Sequence, residues 1–332
     1  MNTLFIILFN LLTTFTNPQT INPERVAMLD RLFILLEENI ANPEWLETES
    51  FKAFKEDLYS KEVLKMSDSV FLSHFKTQRK TLDFSHFNLE LKTIQSSKNN
   101  TEQIKVNMNW SKINDSIAYI DVRTFATDAT NMIKIISEIG TDQYAHLIID
   151  LRDNGGGSLD APVVLGRFLT QDYIDAGVYL TRKWFLKEAR PANKEDILKM
   201  PYLKEFTYQA IGKMYQEEAA FRMVLPPHQQ PIFKGKVYVL INNNTASACE
   251  PLINLLQKKN IATLVGTKSA GEMLTGQYFN INDDYKAFIP IADYQTAEAD
   301  RLDQKGVAPD YEVNSNEALN YVLENLIGVP KK

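Results

Sequence analysis

Asp150-Leu151-Arg152-Asp153-Asn154-Gly155-Gly156-Gly157 follows the apolar run Leu147-Ile148-Ile149 and leads into a helix-like segment over residues 158–170. A buried strand that breaks into consecutive glycines and then a helix presents backbone N–H groups where an anion can sit. Adjacent glycines also permit φ > 0 and close approach of the backbone to a ligand. Taken alone, the stretch reads equally well as a tight structural turn. The same strand-turn-helix grammar returns at Asn244-Thr245-Ala246-Ser247-Ala248-Cys249-Glu250, with a serine at the turn. A serine at a helix start and a glycine nest are the two halves of a nucleophile and its oxyanion hole. A helix cap is the plainer reading of Ser247.

Around these two turns, strand and helix patterns alternate. Strands are predicted at 117–122, 147–151, 237–241 and 262–265, with helices at 129–139, 159–169 and 248–257. This alternation argues for an α/β core with parallel pairings. In such sheets sites form beyond the carboxyl ends of the strands, which is where both turns fall. Residues 182–230 interrupt the rhythm with a polar helical stretch dotted with aromatics and closed by Pro226-Pro227. An insertion there reads as a substrate-facing lid or as a helical layer on the sheet.

Before the core, Asn22-Pro23-Glu24 is a helix start, and Val26, Leu29, Leu32, Phe33, Leu36 and Ile40 follow at helical spacing. Further helices fit 48–59 and 67–80. Residues 21–82 therefore read as a small helical module, and 83–332 as the α/β core carrying the insertion. Phe87, Leu89 and Leu91, and then Ile104, Val106 and Met108, alternate with polar residues as half-buried strands do. The apolar run inside residues 1–16 has the length of a signal-peptide h-region and is too short to span a bilayer. Residues 1–20 read as a signal, and the chain as exported to the periplasm, cell envelope or medium. A buried N-terminal helix or strand is the alternative.

The net charge of −6 leaves no basic footprint, so nucleic acid is not an expected partner. Cys249 is the single cysteine and the four histidines lack metal-ligand spacing, so neither a disulfide framework, a metal site nor a cofactor is indicated.

Four motifs occur in order: Asp150 to Gly157; Thr245-Ala246-Ser247-Ala248-Cys249-Glu250; Leu264-Val265-Gly266-Thr267-Lys268-Ser269-Ala270-Gly271; and Gly306-Val307-Ala308-Pro309-Asp310. Together they resemble the C-terminal processing peptidase and tricorn-core family of serine peptidases, over residues 83–313. The resemblance implies a Clp-protease/crotonase-like α/β core and hydrolysis of peptide bonds. It places Ser247 as nucleophile. One branch of the family activates that serine with a lysine, but Glu272 stands where the lysine should be, and Lys268 lies at a position not catalytic in the family. The tricorn-like branch uses a Ser-His pair, matched by Leu82-Asp83-Phe84-Ser85-His86-Phe87. His86 would be the general base, with an unperturbed pKa near ~6.5, and Ser85 would orient it. Asp303 takes the place of the family's glutamate and is one methylene shorter; Glu298 and Asp300 are fallbacks. The resemblance puts the oxyanion hole at the N–H groups of Gly156 and Ala248, with Gly155 as the register alternative. His74 reads as a helix-face residue, His146 as a strand start and His228 as a loop residue. The family's PDZ domain does not fit in the stretch from His86 to Ile117.

The sequence is thus expected to encode a PDZ-less serine peptidase acting on peptides or proteins through an acyl-enzyme, with no cofactor. A non-catalytic peptide- or ligand-binding protein on the same fold, and an esterase- or thioesterase-like hydrolase, are the rival readings. Oligomeric state is not legible.

Overall fold

In the computed structural model, which describes residues 22–92, 107–126, 129–204 and 208–330, helices and two β-sheets share one α/β architecture. Helices α1 (Pro23–Asn39), α2 (Glu49–Leu58), α3 (Lys61–Leu64) and α4 (Asp68–Gln78) come first. Asn22 caps α1, its side chain accepting from the Glu24 N–H at 3.0 Å, with Pro23 at the first helical position. Then follow β1 (Asn88–Leu91), β2 (Met108–Asn114), β3 (Ile117–Val122), α5 (Thr130–Ile139), β4 (His146–Asp150), α6 (Asp160–Leu169), β5 (Ile174–Thr181), α7 (Arg182–Glu188), α8 (Lys194–Lys199) and α9 (Tyr208–Glu217). The chain continues through β6 (Ala220–Leu225), β7 (Lys236–Ile241), α10 (Cys249–Lys258), β8 (Ala262–Gly266), β9 (Thr275–Asn280), β10 (Tyr285–Gln295), β11 (Tyr311–Glu312) and α11 (Ala318–Tyr321).

The first sheet runs β11-β8-β7-β4-β3-β2, parallel except for the β2–β3 pair. Its central strands β4, β7 and β8 are covered on both faces, which is why Leu147-Ile148-Ile149 is a continuous apolar run. Leu147 and Ile149 bury against α5, α6 and α10, whereas Ile148 turns to the face covered by Ala318 and Val322. The second sheet, β1-β10-β5-β6 with β9 also on β10, is antiparallel throughout. Side chains of β5 and β6 (Ile174, Ala176, Met223, Leu225) share the main core with α6 and α10, so these helices lie between the two sheets.

The predicted parallel core is therefore present, but the second sheet was not foreseen. The stretch expected to be wholly helical, 182–230, holds α7, α8 and α9 and also β6. Helices α1, α2 and α4 share a second core with Leu274, Tyr285, Ala287 and Ile289 of the β9–β10 region. Of the strand expected around Ile104, Val106 and Met108, only the part from Met108 falls among the described residues. The N-terminal segment read as an export signal lies outside them. No helix among the described residues is long and apolar enough to cross a membrane.

Candidate active site

The carboxyl ends of β4, β7 and β8 lie side by side, since Asp150 pairs with Leu240 and Ile241 with Gly266. The three motif loops leave from these ends and are stitched together. Thr245 Oγ1 donates to the Leu151 carbonyl at 2.8 Å, and the Ala246 N–H to the Asn154 carbonyl at 3.0 Å. The Ala270 N–H donates to the Thr245 carbonyl at 2.9 Å, and the Ser247 N–H to that of Glu272 at 3.0 Å.

These bonds hold Ser247 at φ 54°, a left-handed conformation that a non-glycine residue adopts at a cost of about 1–3 kcal/mol. Helix α10 starts after it at Cys249, and the residue capping that helix, Ala248, supplies no side-chain bond. Ser247 is thus not serving as a helix cap. Ser247 instead lines a cleft of about 540 Å³, whose lining also includes His86, Gly155, Gly157, Ala248 and Met273.

His86 reaches that cleft because its neighbours are anchored behind it. Phe84 stacks on Trp45 with centroids 5.2 Å apart, and Phe87 packs edge-on against Phe75 at 5.3 Å. The helices thus fix the 84–87 segment, and His86 turns out of it at φ 58°. Its Nδ1 lies 2.8 Å from Ser85 Oγ, which lies 2.5 Å from Asp303 Oδ1. Buried Asp303 also accepts from the Met273 N–H at 2.9 Å and from Arg301 Nη2 at 3.0 Å. An ionised carboxylate only accepts, so the Ser85 hydroxyl donates to it and its oxygen is left to accept from Nδ1–H. That assignment leaves Nε2 as the bare nitrogen of His86. Burial, with the positive charge of Arg79 adding to it, pushes the imidazole pKa down to about 4, so the ring is neutral at physiological pH. Burial raises the Asp303 pKa, opposed by Arg301 and by the Ser85 hydrogen bond.

The shorter acid therefore reaches Ser85, and Ser85, His86 and Asp303 form one chain of contacts. Ser247 lines the same cleft as His86; among the described residues no hydrogen bond joins them, as is common before substrate aligns the groups. Glu298 and Asp300 take no part in the network. Glu272 is exposed and contributes its carbonyl, and Lys268 is exposed, so neither side chain lines the cleft. His74 pairs with Asp57 on the helices, His146 begins β4, and His228 approaches the Thr170 carbonyl at 3.0 Å.

At the glycine turn the N–H expected to serve as a donor has a partner within the turn. The Gly156 N–H donates to Asn154 Oδ1 at 2.9 Å, and Gly156 does not line the cleft. Gly155 and Gly157 do line it. Gly156 instead serves close approach: a Cβ there would come within 2.7 Å of Ser247 Cβ and 2.8 Å of the Ala248 nitrogen. Ala248, the residue after the serine, also lines the cleft.

Two groups were missed in the sequence. Asn154 is buried and fixes the turn, Nδ2 donating to the Val122 carbonyl at 3.0 Å. Glu250, three residues after Ser247, is fully buried, its Oε1 accepting from Ser269 Oγ at 2.7 Å and from the Gly271 N–H at 2.8 Å. Both stand inside quoted motifs, so only their burial was illegible.

The sequence model of peptidase family S41 matches residues 116–313. A carboxyl-terminal-processing protease of Picosynechococcus sp. is 28% identical over 218 residues, covering 64% of this chain and 42% of that protein. The chain thus spans about two fifths of that relative's length. Among solved structures, a lipoprotein from Streptococcus agalactiae superposes with a TM-score of 0.55 at 13% identity, covering 93% of this chain and 99% of that one. A candidate peptidase from Parabacteroides merdae gives 0.55 at 16% identity, over 88% of this chain and 90% of that one. At these identities the likeness concerns the fold, which is the expected Clp-protease-like α/β architecture with a helical N-terminal region.

Proposed function

Because the chain belongs to peptidase family S41, we propose that it is a serine peptidase in which Ser247 attacks the scissile carbonyl and His86 takes its proton. The observation that carries this reading is the Asp303–Ser85–His86 chain, which ends on a neutral imidazole in the cleft that Ser247 lines. Serine is a poor nucleophile without a base, and a neutral imidazole held by an orienting group supplies one. In the forward step the Ser247 proton passes to Nε2, and the imidazolium forms with Nδ1–H directed at Ser85 Oγ. Asp303 stabilises that charge through the Ser85 hydroxyl. The imidazolium then protonates the leaving amine, and a water deprotonated by His86 hydrolyses the acyl-enzyme. The oxyanion would be held by the Ala248 N–H and by a glycine N–H of the 155–157 turn, a donor in such a hole being worth roughly 2.7–4 kcal/mol.

The substrate is a peptide or protein. The test is labelling with a fluorophosphonate probe, comparing wild type with Ser247→Ala and His86→Ala and locating the adduct by peptide mapping. An adduct on Ser247, abolished in the first variant and slowed at least about 10²-fold in the second, is expected. An unlabelled, folded wild type that binds peptides would instead identify a binding protein on this fold. Export is proposed on the apolar run within residues 1–16, and N-terminal sequencing of the protein from fractionated cells tests it.

A further inference from the structure

Among the described residues, the wall of the cleft carries one formal charge. Residues 157–160 line it consecutively, leading away from Ser247 into α6, and Asp160 ends the row. Every other lining side chain among the described residues is uncharged at neutral pH. His86 is neutral there, and the phenols of Tyr179 and Tyr215 have pKa values raised by burial. No lysine or arginine of the described residues lines the cleft.

The Asp160 carboxylate is not consumed by the fold. Its own N–H is met by Ser158 Oγ at 3.2 Å, whereas its side chain has neither a hydrogen bond nor an ion pair among the described residues. Asp160 is partly buried and belongs to the lining of the cleft, so its charge acts on whatever occupies it. The lining also includes Thr275, Gly276 and Gln277 of β9 and Phe288 of the neighbouring β10. An extended substrate advances at most about 3.3–3.6 Å per residue. Three positions from Gly157 to Asp160 therefore put the carboxylate within about three substrate residues of the scissile bond.

We infer that Asp160 forms a subsite for a cationic group of the substrate, a lysine or arginine side chain or a free amino terminus, close to the bond that is cut. This rests on the peptidase reading and deepens it. It also sets this cleft apart from one that anchors a substrate by its terminal carboxylate: among the described residues such a group would meet a carboxylate and no lysine or arginine.

The test uses ten-residue peptides that differ only in Lys, Gln or Glu at each position within three of the cleavage site, with free or acetylated amino termini. Wild type is expected to cut the Lys peptide about tenfold faster than the Gln peptide in kcat/KM at one such position, and the Glu peptide slowest. The difference should shrink in 0.5 M salt. Asp160→Asn should erase the preference, and Asp160→Lys should invert it towards Glu. A preference that survives acetylation assigns the side chain, and one that vanishes with it assigns the amino terminus. Equal rates for Lys, Gln and Glu in wild type overturn the inference. So does a preference unchanged in Asp160→Asn, which would leave Asp160 as a first-turn helix acid only. Binding of the same peptides to Ser247→Ala, read by fluorescence anisotropy, separates the two claims. Absence of all turnover with Lys-selective binding retains the subsite and removes the peptidase, and unselective binding removes the subsite.

Discussion

Ser85 Oγ and Asp303 Oδ1 stand 2.5 Å apart although 218 residues separate them in the chain. The contact joins the segment in front of β1 to the loop after β10, and a second bond, from the Ser85 N–H to Asp303 Oδ2 at 3.2 Å, fixes its direction. The hydroxyl is thereby committed to the carboxylate, which is what leaves its oxygen facing His86 Nδ1. Removing the hydroxyl should leave the imidazole present but unoriented.

Ser85→Ala is accordingly expected to lower kcat/KM and the rate of fluorophosphonate labelling by about 10²-fold, with little change in KM. Asp303 keeps Arg301 and the Met273 N–H in that variant, so the melting temperature should move little. Stopped-flow labelling beside thermal denaturation measures both. Unchanged labelling would show that Ser85 has no part in orienting the base.

In the proposed mechanism His86 sets the acid limb of activity. Only a neutral ring could accept the Ser247 proton, and burial, reinforced by Arg79, pushes its pKa down to about 4. Activity should therefore be retained through pH 6 and be lost as pH falls through about 4, rather than through ~6.5 as for an unperturbed imidazole. The same depression costs stability in acid, since the unfolded chain binds a proton that the folded one refuses. The pH dependence of the labelling rate, on protein checked for folding at each pH, decides this. A limb near 6.5 would mean that the ring is solvated.

How far these features could be read in the sequence depends on what each one needs. The strands of the parallel sheet announce themselves because both faces are buried, so Leu147-Ile148-Ile149 and Val237 to Ile241 are unbroken apolar runs. The antiparallel sheet is obscured by its irregularities. Strand β5 carries a register shift between Asp175 and Val178 around Gly177, which has φ 97°. Strand β10 contains Pro290 beside another shift, and β9 is mostly polar or aromatic with a glycine. Each of these breaks the period of two that marks a strand. The Ser247 turn and the Ser85-His86 segment, which line or adjoin one cleft, stood out in the sequence through their motifs. The reach of Asp303 and the direction of the Gly156 N–H were not, because both depend on distances set by residues remote in the chain.

The glycine turn offers a contrast between neighbours. Gly156 has φ 89°, and a methyl group would strike Ser247 Cβ and the Ala248 nitrogen, whereas a Cβ on Gly155 meets open space. Gly156→Ala should lose about 1–3 kcal/mol of stability and most activity. Gly155→Ala should fold normally and keep its stability within about 0.5 kcal/mol. Urea titration and peptide turnover of the two variants measure the difference. Equal behaviour would place the close approach elsewhere.

Glu250 ties α10 to the loop that supplies both the Glu272 carbonyl and the Met273 N–H, and among the described residues its Oε2 has no hydrogen-bond partner. Burial raises its pKa from 4.5 to about 7, with Asp303 adding to the rise and the Ser269 and Gly271 bonds opposing it. Between those values the folded chain holds a proton that the unfolded chain releases. Stability from this group is therefore full below pH 4.5 and is lost as pH rises through 7, a change on the order of 3 kcal/mol. Asp293, raised to about 6 chiefly by burial, works in the same direction at lower pH. Glu250→Gln keeps an acceptor for Ser269 and Gly271 without a titrating proton. Its urea midpoint should consequently fall less than that of wild type between pH 5 and 8, the difference opening above pH 6. Parallel midpoints across that range would mean that Glu250 is ionised throughout, and that the orphaned oxygen is solvated in the folded protein.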